Sequence, residues 1–190
     1  MSHCILMGSP RKNGNTAQLL KPFMEELDNQ KINYDLTWLY DKHIEPCNAC
    51  RNCQKNKTAL GCKHNDDGEE IFRQILASEV ILLATPIYSW YCTAPMKSLL
   101  DRLVYVMNKY YGEGERTSLW AGKKMALLIT CGYQPEKGAD LFAAGMQRYC
   151  KHSGLTYAGM LVERDLGYDK EFISKDKIEH ARVFAQKLIG

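Results

Sequence analysis

The chain has 190 residues, 45% hydrophobic and 25% charged, a balance that suits one globular domain burying roughly 70% of its unfolded surface. Its net charge of +3 is spread over 25 basic and 22 acidic residues. That leaves no electrostatic footprint for nucleic acid, and no apolar run approaches the roughly 20 residues of a membrane span. The opening residues Met1 to Met7 carry neither a basic n-region nor a signal-length apolar stretch, so a cytoplasmic protein is expected. In that reducing setting the eight cysteines point to metal or redox use rather than to disulfides.

His3 to Met7 form a compact apolar strand, and Thr16, Leu19, Leu20, Phe23, Met24 and Leu27 then recur at helical spacing. Between them lies Gly8-Ser9-Pro10-Arg11-Lys12-Asn13-Gly14-Asn15-Thr16. Glycines at both ends let the backbone turn tightly and approach a ligand, while Ser9, Asn13, Asn15 and Thr16 supply hydroxyl and amide donors. Arg11 can neutralise a phosphate bidentately, and the helix beginning near Thr16 aims its free N–H groups at the same anion. The stretch reads as a phosphate cradle, against the plain alternative of an Asn- and Gly-rich turn. It is no mononucleotide P-loop, because five residues separate the glycines and Asn15 stands where that loop needs lysine. The dinucleotide Gly-x-Gly-x-x-Gly fingerprint is missing too.

From Ile32 to Tyr40 the even positions are apolar and Asn33, Asp35 and Thr37 polar, the period-two mark of a strand exposed on one side. A polar, cysteine-rich loop fills 41 to about 66. Asp66-Asp67-Gly68 precede a short helical pattern at Ile71, Phe72, Ile75 and Leu76. Val80 to Ala84 form a continuous apolar run, as expected of a strand covered on both faces. After it, Met96, Leu99, Leu100, Leu103, Val104 and Met107 mark an amphipathic helix begun near Thr93 with Pro95 in its first turn. Polar residues 108 to 123 are expected to form a connector, Met125 to Thr130 another buried strand, and an alanine-rich helix to run to about Lys151. Leu155 to Leu161 alternate weakly, and Ile178, Ala181, Ala185 and Leu188 mark a closing helix.

Strands alternating with helices predict a single α/β domain around a five-stranded parallel sheet. Continuously apolar strands belong in the centre and alternating ones at the edges, which is the order 2-1-3-4-5. Ligands of such sheets bind beyond the carboxyl ends of strands 1 and 3, where residues 8–16, 85–91 and 130–135 meet. The second of these loops, Pro86-Ile87-Tyr88-Ser89-Trp90-Tyr91, is rich in aromatics and suited to stacking a flat ring, with backbone groups of Ile87 to Ser89 towards its polar edge. Thr130, Cys131, Gly132 and Tyr133 add small residues and one more aromatic.

Three motifs in order, Gly8-Ser9-Pro10-Arg11 with Asn15-Thr16, Thr85-Pro86-Ile87-Tyr88, and Pro95-Met96-Lys97 with Asp101-Arg102, make the chain resemble the NADPH-dependent FMN reductase branch of the flavodoxin-like flavoproteins. Within that branch it is most similar to the iron-sulfur flavoproteins. The resemblance runs from residue 3 to about 135 and implies FMN. It puts the phosphate on Ser9, Arg11, Asn13, Asn15 and Thr16, and the isoalloxazine against Pro86, Ile87, Tyr88 and Ser89 and against Thr130, Cys131, Gly132 and Tyr133. It also implies a homodimer or homotetramer in which a neighbour covers the flavin.

Cys47-Asn48-Ala49-Cys50-Arg51-Asn52-Cys53 is C-x2-C-x2-C, with Cys62 eight residues further on. Three readings stay open for these four thiols: a [4Fe-4S] cluster, a zinc ion, and free or redox-active thiols. The iron-sulfur flavoproteins carry a compact cysteine motif at this place, which favours the cluster. His64 is expected as an exposed loop histidine, Cys4, Cys92, Cys131 and Cys150 as small buried residues, and Lys97 with Asp101 as an ordinary i,i+4 ion pair. No catalytic acid or base is assigned, since hydride and electron transfer are properties of the flavin. The leading expectation is an FMN oxidoreductase. Its donor is NAD(P)H or a ferredoxin-like protein, and its acceptor is a small molecule or a protein. The alternative is a non-catalytic electron carrier resembling flavodoxin.

Overall fold

The computed structural model describes residues 1–167 and 169–190. Five parallel strands, β1 (Ser2–Met7), β2 (Asn33–Trp38), β3 (Val80–Pro86), β4 (Lys124–Cys131) and β5 (Thr156–Arg164), form one sheet in the order β2-β1-β3-β4-β5. Ile5 pairs with Leu36 on one side and Leu82 on the other, and Leu82 pairs in turn with Ala126. The sequence order of the strands is the expected 2-1-3-4-5. The three continuous apolar runs are the central strands, and the alternating β2 and β5 are the edges.

Two helical layers cover the sheet because successive side chains of a central strand point to opposite faces. Ile5, Met7, Leu82, Ala84 and Leu128 pack on α1 (Asn15–Asn29) and α5 (Lys175–Ile189), through Leu19, Phe23 and Phe184. Cys4, Leu6, Ile81, Leu83 and Leu127 pack on α2 (Gly68–Ala77), α3 (Ala94–Val106) and α4 (Asp140–Ser153), through Phe72, Leu99 and Phe142. Cys4, Cys92, Cys131 and Cys150 are buried as expected. Burial pushes the thiols of Cys4 and Cys92 up to about 12 and that of Cys150 up to about 11, so they stay protonated and unreactive.

The sequence expectation needs adjustment at four places. The short helix Pro135–Gly138 precedes α4, so the alanine-rich pattern is broken at Ala139. The even alternation from Ile32 to Tyr40 ends at Trp38, where a 3₁₀ turn, Leu39–Asp41, begins. In β5 the register slips between Met125 and Leu127 of the neighbouring strand, and Gly159 takes a φ of 103°, which explains the weak alternation there. The connector from 108 to 123 is not simply solvent-exposed. Asn108 and Lys109 pair with Thr117–Ser118 as a two-residue ribbon, and Asn108, Lys109 and Trp120 are fully buried. Trp120 Nε1 donates to Asn108 Oδ1 at 2.9 Å and Asn108 Nδ2 to Ser153 Oγ at 2.9 Å, so the buried polar groups are satisfied by partners far away in sequence.

Candidate functional site

The 8–16 loop leaves β1 at the switch point of the sheet. Gly8 N–H donates to Ala84 C=O at 2.8 Å, and Thr93 Oγ1 donates to Gly8 C=O at 2.7 Å. The two glycines serve close approach rather than unusual backbone angles. A Cβ on Gly8 would lie 3.0 Å from Thr93 Oγ1 and 3.1 Å from Met96 Cε, and one on Gly14 would lie 2.9 Å from Arg11 Cβ. Gly14 caps α1 without a side-chain bond, and no acidic residue stands in the first turn. The helix therefore presents bare N–H groups and the positive end of its dipole.

Around that terminus Ser9 and Thr16 are buried, Asn15 is half-buried, and Arg11 and Asn13 are exposed. Arg11 N–H donates to Ser9 Oγ at 3.3 Å. Lys12 is taken by an ion pair with Asp41 and lies 4.0 Å over the Trp38 ring. Among the described residues no carboxylate pairs with Arg11, so its guanidinium stays available to an anion at the loop.

The three loops are joined at the sheet rim. Thr16 Oγ1 and Thr130 Oγ1 lie 2.7 Å apart, and Ile87 N–H donates to Thr130 C=O at 2.8 Å. Tyr88 and Tyr91 exchange backbone hydrogen bonds at 2.9 and 3.0 Å across a two-residue turn in which Ser89 and Trp90 have φ of 49° and 63°. Both angles lie in the left-handed region that favours glycine. The N–H groups of Ile87 and Tyr88 are thus used within the protein, and Ser89 and Trp90 form the tip of the turn. Trp90 stacks on Tyr133 with ring centroids 5.7 Å apart and planes 15° apart, and Tyr88, Trp90 and Tyr133 are all exposed. Pro86 is half-buried behind them. Gly132 leaves open space where a side chain would stand. The Cys131 thiol turns to the Tyr133 carbonyl, 3.4 Å away, and the Cys131 carbonyl accepts the Asp165 N–H at 2.8 Å.

The cysteine loop builds a second centre. Cys47, Cys50, Cys53 and Cys62 all line one small cavity of about 20 Å³ beside α3, shared with Arg102, Tyr105 and Val106. Ala49 and Arg51, with φ of 55° and 56°, bend the C-x2-C-x2-C segment, and a 3₁₀ turn at Asn52–Gln54 follows. Among the described residues no three His, Cys, Asp or Glu side chains come within reach of a single ion. Four soft thiols along one pocket are a donor set whose chemistry fits an iron-sulfur group or zinc. His64 departs from expectation. It is half-buried, lines the same cavity, and its Nε2 is buried with no partner.

Three polar residues that the sequence reading left out of the site hold the cysteine loop. Lys109 Nζ donates to the carbonyls of Cys53, Ala59 and Leu60 at 2.8, 2.6 and 3.2 Å. Burial lowers its pKa, against the raising influence of Cys53. Arg102 Nη1 donates to Asp66 Oδ2 at 2.6 Å and Nη2 to Cys62 Sγ at 3.3 Å, with both charged side chains 1% exposed. For Asp66, burial is the largest influence and opposes ionisation. The Arg102 hydrogen bond and the amides of Glu45 and Gly68 together outweigh it and hold the carboxyl below its ordinary value. Lys97 and Asp101, at 2.6 Å, are the surface ion pair expected of their spacing.

A doubly covered parallel sheet with an anion-ready loop and aromatics at its switch point defines a flavodoxin-like α/β protein. The chain belongs to the NADPH-dependent FMN reductase family, whose model matches residues 1–143. Among its relatives, an iron-sulfur flavoprotein of Archaeoglobus fulgidus is 32% identical over 159 residues, covering 83% of this chain and 66% of the relative. One from Methanosarcina thermophila is 28% identical, covering 56% and 54%. The matches thus span about half to two thirds of these relatives' length. The fold is similar to that of the NAD(P)H:quinone oxidoreductase from Methanothermobacter marburgensis, at a TM-score of 0.74 and 18% identity over 100% of this chain and 98% of that one. It is similar also to that of an FMN-dependent NADH-azoreductase from Bacillus anthracis solved with FMN, at a TM-score of 0.73 and 13% identity over the whole of both chains. Among the described residues no helix is long and apolar enough to cross a membrane.

Proposed function

We propose that the protein is an FMN-dependent oxidoreductase with a [4Fe-4S] cluster as its second redox centre. The observation that carries the flavin reading is the convergence of three clasped loops on an uncapped helix terminus with an unpaired Arg11. Ser9, Arg11, Asn13, Asn15 and Thr16 would hold the phosphate. Pro86 to Ser89 and Thr130 to Tyr133 would flank the ring. Bound flavin supplies the hydride and electron chemistry, while the protein's residues bind, orient and shield it. The donor set of the cysteine cavity, four soft thiols lining one pocket, supports the cluster. The donor is a reduced nicotinamide or a ferredoxin-like protein, and a second copy of the chain covers the exposed aromatic rim of Tyr88, Trp90 and Tyr133.

The test is anaerobic purification followed by an absorption spectrum, with iron, sulfide and flavin analysis. Flavin bands with a broad violet shoulder, and about four irons per chain, are expected. Arg11→Ala should weaken FMN far more than riboflavin, because only FMN carries the phosphate, and equal losses would contradict the cradle. Bleaching by NADPH or by reduced ferredoxin identifies the donor, and size-exclusion chromatography reports the assembly.

A further inference from the structure

We propose that Arg102 sets the reduction potential of the iron-sulfur centre through the guanidinium N–H it holds against the sulfur of Cys62. This rests on the cluster reading above. The geometry is that of a built seat. Gly68 is packed so closely that a Cβ there would lie 2.7 Å from both Nη1 and Nη2, and the Phe72 ring centroid is 5.2 Å from the guanidinium carbon. Asp66 takes Nη1 and is itself fixed by the N–H groups of Glu45 and Gly68 at 2.8 and 3.0 Å. With one end of the planar fork anchored, Nη2 has one place to point, at Cys62 Sγ 3.3 Å away. Among the described residues Cys62 is the only one of the four cysteines that accepts a hydrogen bond from a charged side chain. Cys53 has a neutral amide, Gln54 Nε2, at 3.9 Å.

The effect follows from charge. Asp66 offsets most of the arginine's net field at a distance, and what remains local is an N–H dipole directed at one sulfur. When one electron from a low-potential reductant enters the centre, negative charge on its sulfurs grows. That dipole then stabilises the reduced form and raises the potential. No bond to Cys62 forms or breaks, and Arg102 keeps its proton throughout. Arg102 is thus a positioning residue acting through Cys62.

The experiment uses the full chain with FMN, reconstituted anaerobically with iron and sulfide, and compares wild type with Arg102→Lys. Lysine keeps a positive charge for Asp66 and loses the fork that reaches Cys62. The expected result is full iron content, a cluster potential more negative than wild type in a mediated titration followed by electron paramagnetic resonance, and an unchanged flavin potential. An unchanged cluster potential at full iron content overturns the proposal. Should the variant fail to fold or fill, wild type carrying arginine labelled with ¹⁵N in the guanidino group decides. The reduced cluster should show a ¹⁵N hyperfine coupling that survives Arg51→Lys, and absence of that coupling overturns the proposal. Wild type that binds FMN and takes up no iron or sulfide would overturn the cluster reading and this inference with it, a result distinct from either of the others.

Discussion

Thr93 Oγ1 gives its hydrogen bond to the carbonyl of Gly8 at 2.7 Å instead of capping the helix it precedes. Both residues are buried. The same helix presents Arg102, Tyr105 and Val106 to the cysteine cavity, so about 14 Å of helix axis separates the contact with the 8–16 loop from the wall of that cavity. Thr93→Val should remove the bond and leave the Gly8 carbonyl without that partner, a loss of about 1–3 kcal/mol. Urea unfolding should show that loss, and titration should show weaker FMN binding than in wild type. Unchanged FMN affinity would separate the helix from the cradle.

Lys109 ties the cysteine loop to the segment after α3, and its replacement by methionine keeps bulk while leaving three carbonyls, the buried one of Cys53 among them, without their donor. Losing these charge-assisted hydrogen bonds costs on the order of 3 kcal/mol. The expected outcome for Lys109→Met is selective: iron and sulfide fall well below wild type while flavin content holds. Parallel loss of both cofactors would mean that the two centres do not fold as separable units.

His3 sits wholly buried in β1, and neither ring nitrogen has a partner. Burial lowers its pKa from 6.5 to about 4. Between those values the unfolded chain binds a proton that the folded chain refuses, so stability rises with pH across that window and is lost as the pH falls through it. From pH 7 to pH 4.5 the wild type should lose about 2–3 kcal/mol more than His3→Leu does. Urea unfolding of both proteins at the two pH values checks this, and equal losses would remove the histidine from the account.

Ser89 and Trp90 are held in left-handed backbone at the tip of the aromatic turn. Ser89→Gly should relieve that strain and stabilise the protein by about 0.5–1 kcal/mol, after glycine's entropy is counted. Thermal unfolding reads the gain. A loss instead would show that the serine side chain contributes more to the turn than its backbone strain costs.

Much of the fold was legible because the signals are local. Val80 to Ala84 and Met125 to Thr130 are apolar without interruption and sit in the middle of the sheet, while Asn33 to Trp38 alternate and sit at its edge. The loop ends at the switch point followed from that order. What stayed hidden depends on partners distant in sequence. Asp66 and Arg102 are 36 residues apart, and Lys109 reaches carbonyls about 50 residues upstream. No periodicity reports such pairs. One clue was present for Arg102: with Leu99 and Val106 it falls at i, i+3 and i+7, which places a charge on the apolar stripe of its own helix and calls for a buried counter-ion. His64 had no comparable signal, because its half-buried state arises from how the loop folds over α3.

Thr130 links the other two rim loops, accepting the Ile87 N–H on its carbonyl and sharing a hydroxyl–hydroxyl hydrogen bond with Thr16. The three loops are therefore tied to one another before any molecule docks, which lowers the ordering left for binding. Exchange of the cofactor should then be governed by how fast its own contacts break, and a Thr130→Val protein, with the clasp to Thr16 undone, should release it sooner than it loses the ability to fold.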